Sequence, residues 1–241
     1  MDIISHLTWI GSLLVNKIFI DKEEFELKVS SNSYYIEVKT NTNLNLEILE
    51  NINASIDIFI KNSNSSLNIK QKNNSNLKIN ILGIDSSVDI NLITSAKIEI
   101  IDSILVSNDS VNKIKINCLK NSDIKLYANG INLDNNKCYF LIDGIIKKEA
   151  CGVKLLESSK IINIKNGDSK IIPNLIVDNQ DIVANHAAFI GKFDVEVINY
   201  LLSRGILEKD INRLLTKAIL LSNMNTNNKD KFSDEIFKKI D

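Results

Sequence analysis

A four-residue unit recurs through the middle of this 241-residue chain: a small or polar residue, an aliphatic, a polar residue, and a second aliphatic. It stands as Ser55-Ile56-Asp57-Ile58, Ser66-Leu67-Asn68-Ile69, Asn76-Leu77-Lys78-Ile79, Ser87-Val88-Asp89-Ile90 and Lys97-Ile98-Glu99-Ile100. The first aliphatics fall at positions 56, 67, 77, 88 and 98, so the step alternates between 11 and 10. Weaker copies flank the run at Asn43 to Leu46, Val111 to Ile116 and Asp123 to Leu126. Strict alternation marks a strand with one buried face. Even spacing with few hairpin dipeptides argues against a meander and for a parallel β-helix, in which each strand stacks on its equivalent one coil later. Two units then make one flattened coil of about 21 residues. A sandwich of even strands is the competing arrangement, and disorder is excluded by the regular aliphatic columns.

An all-β chain with one proline and eight glycines is short of ordinary turn residues. Asn and Ser between the strands fill that role, because they bond backbone groups and tolerate left-handed conformations. A net charge of −1 supplies no basic surplus for nucleic acid or anionic lipid. No apolar run approaches the ~20 residues that span a bilayer. Asp2 and the lack of a basic n-region argue against a signal peptide, so a cytoplasmic protein is expected. Cys118, Cys138 and Cys151 form no CxxC pair, and their odd number argues against a disulfide framework.

Three segments follow from the changes in period. Residues 1–30 are expected to be a cap, in which ISHLTWIGSLLV is a helix or a capping strand and His6 is structural. Residues 31–193 form the β-helix, and its apolar stretches beyond Lys137 are expected to be more fully buried strands. Residues 194–241 form a small α-helical domain. Asp194 N-caps VEVINYLLS, with Val195, Ile198, Leu201 and Leu202 on one face, and Gly205 fits the left-handed C′ position. A second helix over 208–220 aligns Ile211, Leu214, Leu215 and Ala218; SNMNTNNKDK reads as a polar linker, and Ser233-Asp234-Glu235 starts a last short helix.

The run His186 to Ile206, HAAFIGKFDVEVINYLLSRGI, resembles the SufB/SufD family of the SUF iron–sulfur cluster assembly system. That family has a His, small residues, Gly, a basic residue and Asp, then a helix ending Tyr-Leu-x-Ser-Arg-Gly-Ile. Gly144-Ile145-Ile146 through Ala150, Pro173-Asn174-Leu175 with Ile176 and Asp178, and DINRLLTKAIL resemble further family segments in the same order. The resemblance covers roughly Phe140 to Leu220, and the chain looks shortened at its N-terminus against ordinary SufD proteins. It implies a right-handed parallel β-helix followed by a small helical domain, and a non-catalytic scaffold. The implied partners are a SufB-like paralogue (or a second copy of the chain) and a SufC-type ABC ATPase. With no GxxxxGK[ST] in the chain, ATP hydrolysis is left to that ATPase. Tyr200, Leu201, Arg204, Gly205 and Ile206 are the expected ATPase-docking residues.

SufB-like chains carry a Cys fifteen residues before the Pro and a Glu after the strand-end His. Ser158 and Ala187 stand at those positions here, so the resemblance is to SufD. A hydroxyl cannot take the place of a thiolate as a soft ligand or a sulfur carrier. His186 is the remaining candidate, as an iron ligand shared with the partner or as a proton carrier. No stably bound cofactor is expected, only a cluster passing through the partner interface. The three cysteines are expected to be structural. Two rivals are a carbohydrate-active β-helix enzyme and a purely structural solenoid. Asp57, Asp89 and Glu99 alternate outward as a solvated face explains, and no carboxylate pair suited to glycoside chemistry stands out.

Overall fold

The computed structural model describes the backbone of residues 6–10 and 13–241, and side chains from Val15 onward. Among the described residues, sixteen strands precede three helices. The even-numbered strands are β2 (Leu13–Ile20), β4 (Ser33–Val38), β6 (Asn53–Lys61), β8 (Asn76–Ile84), β10 (Lys97–Val106), β12 (Asp123–Asn132), β14 (Val153–Asn163) and β16 (Ile182–Gly191). They stack in parallel as one sheet, with β1 (His6–Ile10) added antiparallel to β2. The odd-numbered strands are β3 (Glu24–Val29), β5 (Asn43–Ile48), β7 (Asn64–Gln71), β9 (Ser87–Thr94), β11 (Ser110–Cys118), β13 (Lys137–Ile146) and β15 (Asp168–Val177). They form a second parallel sheet. Successive strands thus alternate between the two sheets, which is the parallel β-helix.

Inward side chains of both sheets meet in one continuous aliphatic core from Ile18 to Ile161. Each such side chain contributes roughly 1.5–3 kcal/mol on burial. Its uniform width explains why Ile, Leu and Val repeat at every step. Asn51, Asn62, Asn74 and Asn121 take positive φ between strands, where the sequence has no glycine. Their short polar side chains make that conformation accessible.

Register refines the expected 21-residue coil. Leu77 does pair with Ile98, 21 positions on, but Ile56 pairs with Ile79 and Leu67 with Ile90, 23 positions on. A slip of two residues preserves the inward face, so the aliphatic period cannot detect it. Coils also lengthen along the chain, from 18 positions between Asn16 and Tyr34 to 31 between Lys137 and Asp168. Most of the growth is in the strands themselves, from six residues in β4 and in β5 to ten in β13 and eleven in β14.

The stacks begin earlier than residue 31, because β2 and β3 already pair in parallel with β4 and β5. The segment expected to be a helix or a capping strand is β1 with the start of β2; residues 1–5 and 11–12 lie outside the described residues. At the other end, burial falls where more had been expected. β13 still alternates, and β15 has no buried residue at all. These strands belong to the last coils, and β15 and β16 are the edge strands of their sheets among the described residues.

Three helices follow: α1 (Val195–Ser203), α2 (Glu208–Leu220) and α3 (Lys229–Ile240). α2 and α3 pack on the outer face of the even-numbered sheet. Leu82, Ile101 and Leu105 from the strands join Leu220, Met224, Phe232 and Ile236 in a second core. Phe232 sits between Tyr35 and Phe59, 6.4 Å from each ring. The buried face of α2 is Ile211, Thr216 and Leu220, rotated from the expected stripe, and Leu214 is left exposed. α3 begins at Lys229, four residues before the expected start.

The polar stretch ahead of α3 is a clamp rather than a free linker. Asn228 donates to Asp57 at 2.6 Å, Thr226 donates to the same carboxylate oxygen, and Asn80 donates to the other at 2.7 Å. Asp57 is therefore buried, contrary to the solvated position expected for it. A carboxylate with this many donors tolerates burial.

Candidate functional site

His186 lies on β16, the last strand of the even-numbered sheet, and is exposed. One column of register partners runs Tyr34, Ile56, Ile79, Ile100, Leu126, Glu157, His186. All members from Tyr34 to Glu157 are buried. The column faces the interior, so His186 stands at the mouth of the β-helix rather than on its flank.

The adjacent column runs Tyr35, Asp57, Asn80, Ile101, Tyr127, Ser158, Ala187. Ser158 and Ala187 are direct cross-strand partners. Successive strand residues point to opposite faces, so this pair lies on the helix-bearing face while His186 lies on the interior one. The structure thus makes the two positions singled out in the sequence direct partners, but does not bring Ser158 onto the face of His186.

Beneath His186 is a residue the sequence reading missed. Glu157 is 1% exposed, and neither carboxylate oxygen has a hydrogen-bond partner. Burial, then the nearby charge of Asp143, pushes its carboxyl up to about 7. Gly144, on the opposite sheet, leaves room for it: a Cβ there would lie 2.6 Å from Glu157 Oε1. Inward parity counted from Leu155 would have found Glu157, since the stretch VKLLESSKI places it between Leu155 and Ser159.

A second interior carboxyl, Asp102, accepts from Asn112 at 2.7 Å and is likewise pushed up to about 7 by burial. Cys118 and Cys138 are buried. Burial raises both thiols to about 12, helped by the charge of Glu157 on Cys118 and of Asp102 on Cys138. Thiols held so high are poor nucleophiles and ligands. Cys151 is half-buried. Among the described residues no group of three His, Cys, Asp or Glu side chains is placed to hold a metal.

The expected ATPase-docking residues lie on and after α1. Asp194 caps the helix by accepting from the Glu196 amide at 2.8 Å. At its far end Gly205 takes φ +80°; the Gly205 amide donates to Leu202 O and the Ile206 amide to Leu201 O, a Schellman closure. The α1 helix has no buried residue. Arg204 lies over the Tyr200 ring at 5.2 Å. Tyr200 is exposed, and Val195, Val197, Leu202 and Leu207 are exposed around it. Leu201 and Ile206 are half-buried.

Two of the three acidic residues weighed for a carbohydrate-active reading are engaged within the fold. Asp57 is engaged by the clamp, and Glu99 accepts from Lys78 at 2.6 Å. Among the described residues no helix is long and apolar enough to cross a membrane.

Known proteins give a consistent picture. An iron–sulfur cluster assembly SufBD family protein of Mycobacterium leprae is 39% identical over 78 residues, covering 32% of this chain and 20% of the relative. The iron–sulfur cluster assembly protein SufD of Bacillus subtilis is 29% identical over 104 residues, covering 42% of this chain and 23% of that protein. A Mycobacterium tuberculosis SufBD family protein is 35% identical over 78 residues, covering 32% of this chain and 20% of its own length. The matched part is thus about a fifth of these relatives' lengths. A family model described as SUF system FeS cluster assembly, SufBD core domain, matches residues 26–219. That match takes in nearly all of the β-helix together with α1 and most of α2, and the chain belongs to the SufBD core-domain family.

Proposed function

We propose that this chain is a SufD-type scaffold subunit in iron–sulfur cluster assembly, with His186 facing iron or a nascent cluster at the boundary with a SufB-like paralogue. The observation that carries this reading is His186 at the open mouth of the β-helix, with Ser158 and Ala187 paired beside it where a SufB-like chain would hold Cys and Glu. A chain without that thiolate supplies imidazole, and the sulfur must come from the partner.

The free edges of β15 and β16 offer unpaired backbone groups, and Val183, Phe189 and Ile190 are exposed on β16. Such an edge favours pairing with another strand. A paralogue ending in the same kind of open coil supplies one; a second copy of this chain is the alternative partner. The exposed apolar surface of α1, with Tyr200 and Arg204, suits a SufC-type ATPase. On this reading the chain is cytoplasmic and has no catalytic residue of its own. Its cluster is cargo held briefly at the interface.

Co-expression with a SufB-like and a SufC-type protein, followed by affinity capture and sizing, tests the proposal. A complex containing all three is expected. Tyr200→Ala with Arg204→Glu should release the ATPase and leave the paralogue bound. Absence of both partners from a well-folded chain counts against the reading, and capture of the chain only by itself favours the self-dimer. His186→Ala should leave assembly intact and lower the iron content of the complex.

A further inference from the structure

The interior column is aliphatic or aromatic through five successive coils, then changes to Glu157 and His186 in its last two positions. An aliphatic side chain at 157 would continue the core. A carboxylate there costs stability, because its oxygens are removed from water and have no donor.

We propose that Glu157 is a second donor in the same site as His186, and that the two hold a divalent first-row transition metal at the mouth of the β-helix. The inference rests on the reading of His186 as an iron-facing residue, and it adds a donor that the family resemblance does not supply.

Three observations support it. Glu157 and His186 are direct register partners on adjacent strands, which lie about 4.8 Å apart in a sheet, so both side chains rise from neighbouring points on one face. The Glu157 carboxylate is 1% exposed with both oxygens unpartnered, the state of a ligand rather than of a structural hydrogen-bonding group. Gly144 lets the carboxylate sit where it does, because a Cβ at that position would lie 2.6 Å from Oε1. An imidazole nitrogen with a carboxylate oxygen is a donor set suited to Fe²⁺, Mn²⁺, Co²⁺ or Zn²⁺ and poorly suited to Cu⁺. Two donors leave most of the coordination sphere open. That suits a metal delivered and then passed on, with the remaining ligands from solvent or a partner.

The test uses the purified full chain, reduced and free of oxygen, titrated with Co²⁺ and followed by visible absorption and calorimetry. Wild type should bind, and His186→Ala and Glu157→Gln should each weaken binding at least tenfold. Glu157→Leu restores the aliphatic column, so it should melt no lower than wild type and lose Co²⁺ binding. A Glu157→Leu protein that folds and binds Co²⁺ like wild type overturns the proposal. If only His186→Ala weakens binding, Glu157 is not a donor, while the scaffold reading of His186 stands. No Co²⁺ binding by wild type at millimolar concentration also overturns the site. The scaffold reading is then decided separately by partner capture.

Discussion

Ser158 on β14 and Ala187 on β16 are direct cross-strand partners, fixed side by side by the register of the last two strands of the even-numbered sheet. A thiol placed at 158 would therefore sit on the outer face near the open edge, where Ser158 is half-buried. With Cys118 and Cys138 buried and raised to about 12, the native protein should show one thiol, Cys151, to an alkylating reagent at neutral pH. Ser158→Cys should add a second. Intact-mass spectrometry of the alkylated native protein counts them; modification of Cys118 or Cys138 without denaturant would contradict their placement in the core.

The clamp at Asp57 ties the C-terminal helices to the β-helix. Asp57→Ala leaves Asn80, Thr226 and Asn228 without their shared acceptor. Hydrogen bonds to a charged group are each worth about 1.5–3 kcal/mol, so a loss of roughly 2–4 kcal/mol is expected once the donors find water. Urea unfolding measures it. Fluorescence from Tyr35, which packs on Phe232, should report release of α3 before the solenoid melts.

Asp102 makes stability fall as pH rises. Its folded-state carboxyl titrates near 7 against an ordinary value of 3.8, so the folded form binds the extra proton. The stability tied to that proton is full below about pH 4 and is lost as pH climbs toward 7. Its size is on the order of 4 kcal/mol. Asp102→Asn keeps an acceptor for Asn112 and removes the titration. The difference in stability between variant and wild type should grow from pH 5 to pH 7.5; a constant difference would show that Asp102 is not protonated in the core.

Gly144→Ala should destabilise the last closed coil by about 1–3 kcal/mol, because the new Cβ meets Glu157 Oε1 at 2.6 Å and Leu155 Cδ2 at 2.8 Å. Combined with Glu157→Ala the penalty should shrink, since one of the two obstacles is gone. A double-mutant cycle that finds strict additivity would separate the two residues.

The alternating units from Ser55 to Ile100 pointed to a parallel β-helix, since a period of two defines the inward face and even spacing argues against hairpins, although a sandwich of even strands fitted the same pattern. The helix over Glu208–Leu220, the cap at Asp194 and the turn at Gly205 were also legible, because each depends on local chemistry. So was His186 as a candidate, through the motif around it. Register was not: a two-residue slip at Ile56 leaves the hydrophobic pattern unchanged, and only the strand pairing resolves it. Nor was the burial of Asp57, whose environment comes from Thr226 and Asn228 far along the chain. Glu157 shows the division most clearly. Its identity is written in the chain, but its isolation in the core depends on which strands close around it, and its pairing with His186 on how the last coil stacks. Local patterns determine what each segment can form, whereas burial and charge environment arise from residues that meet only after folding.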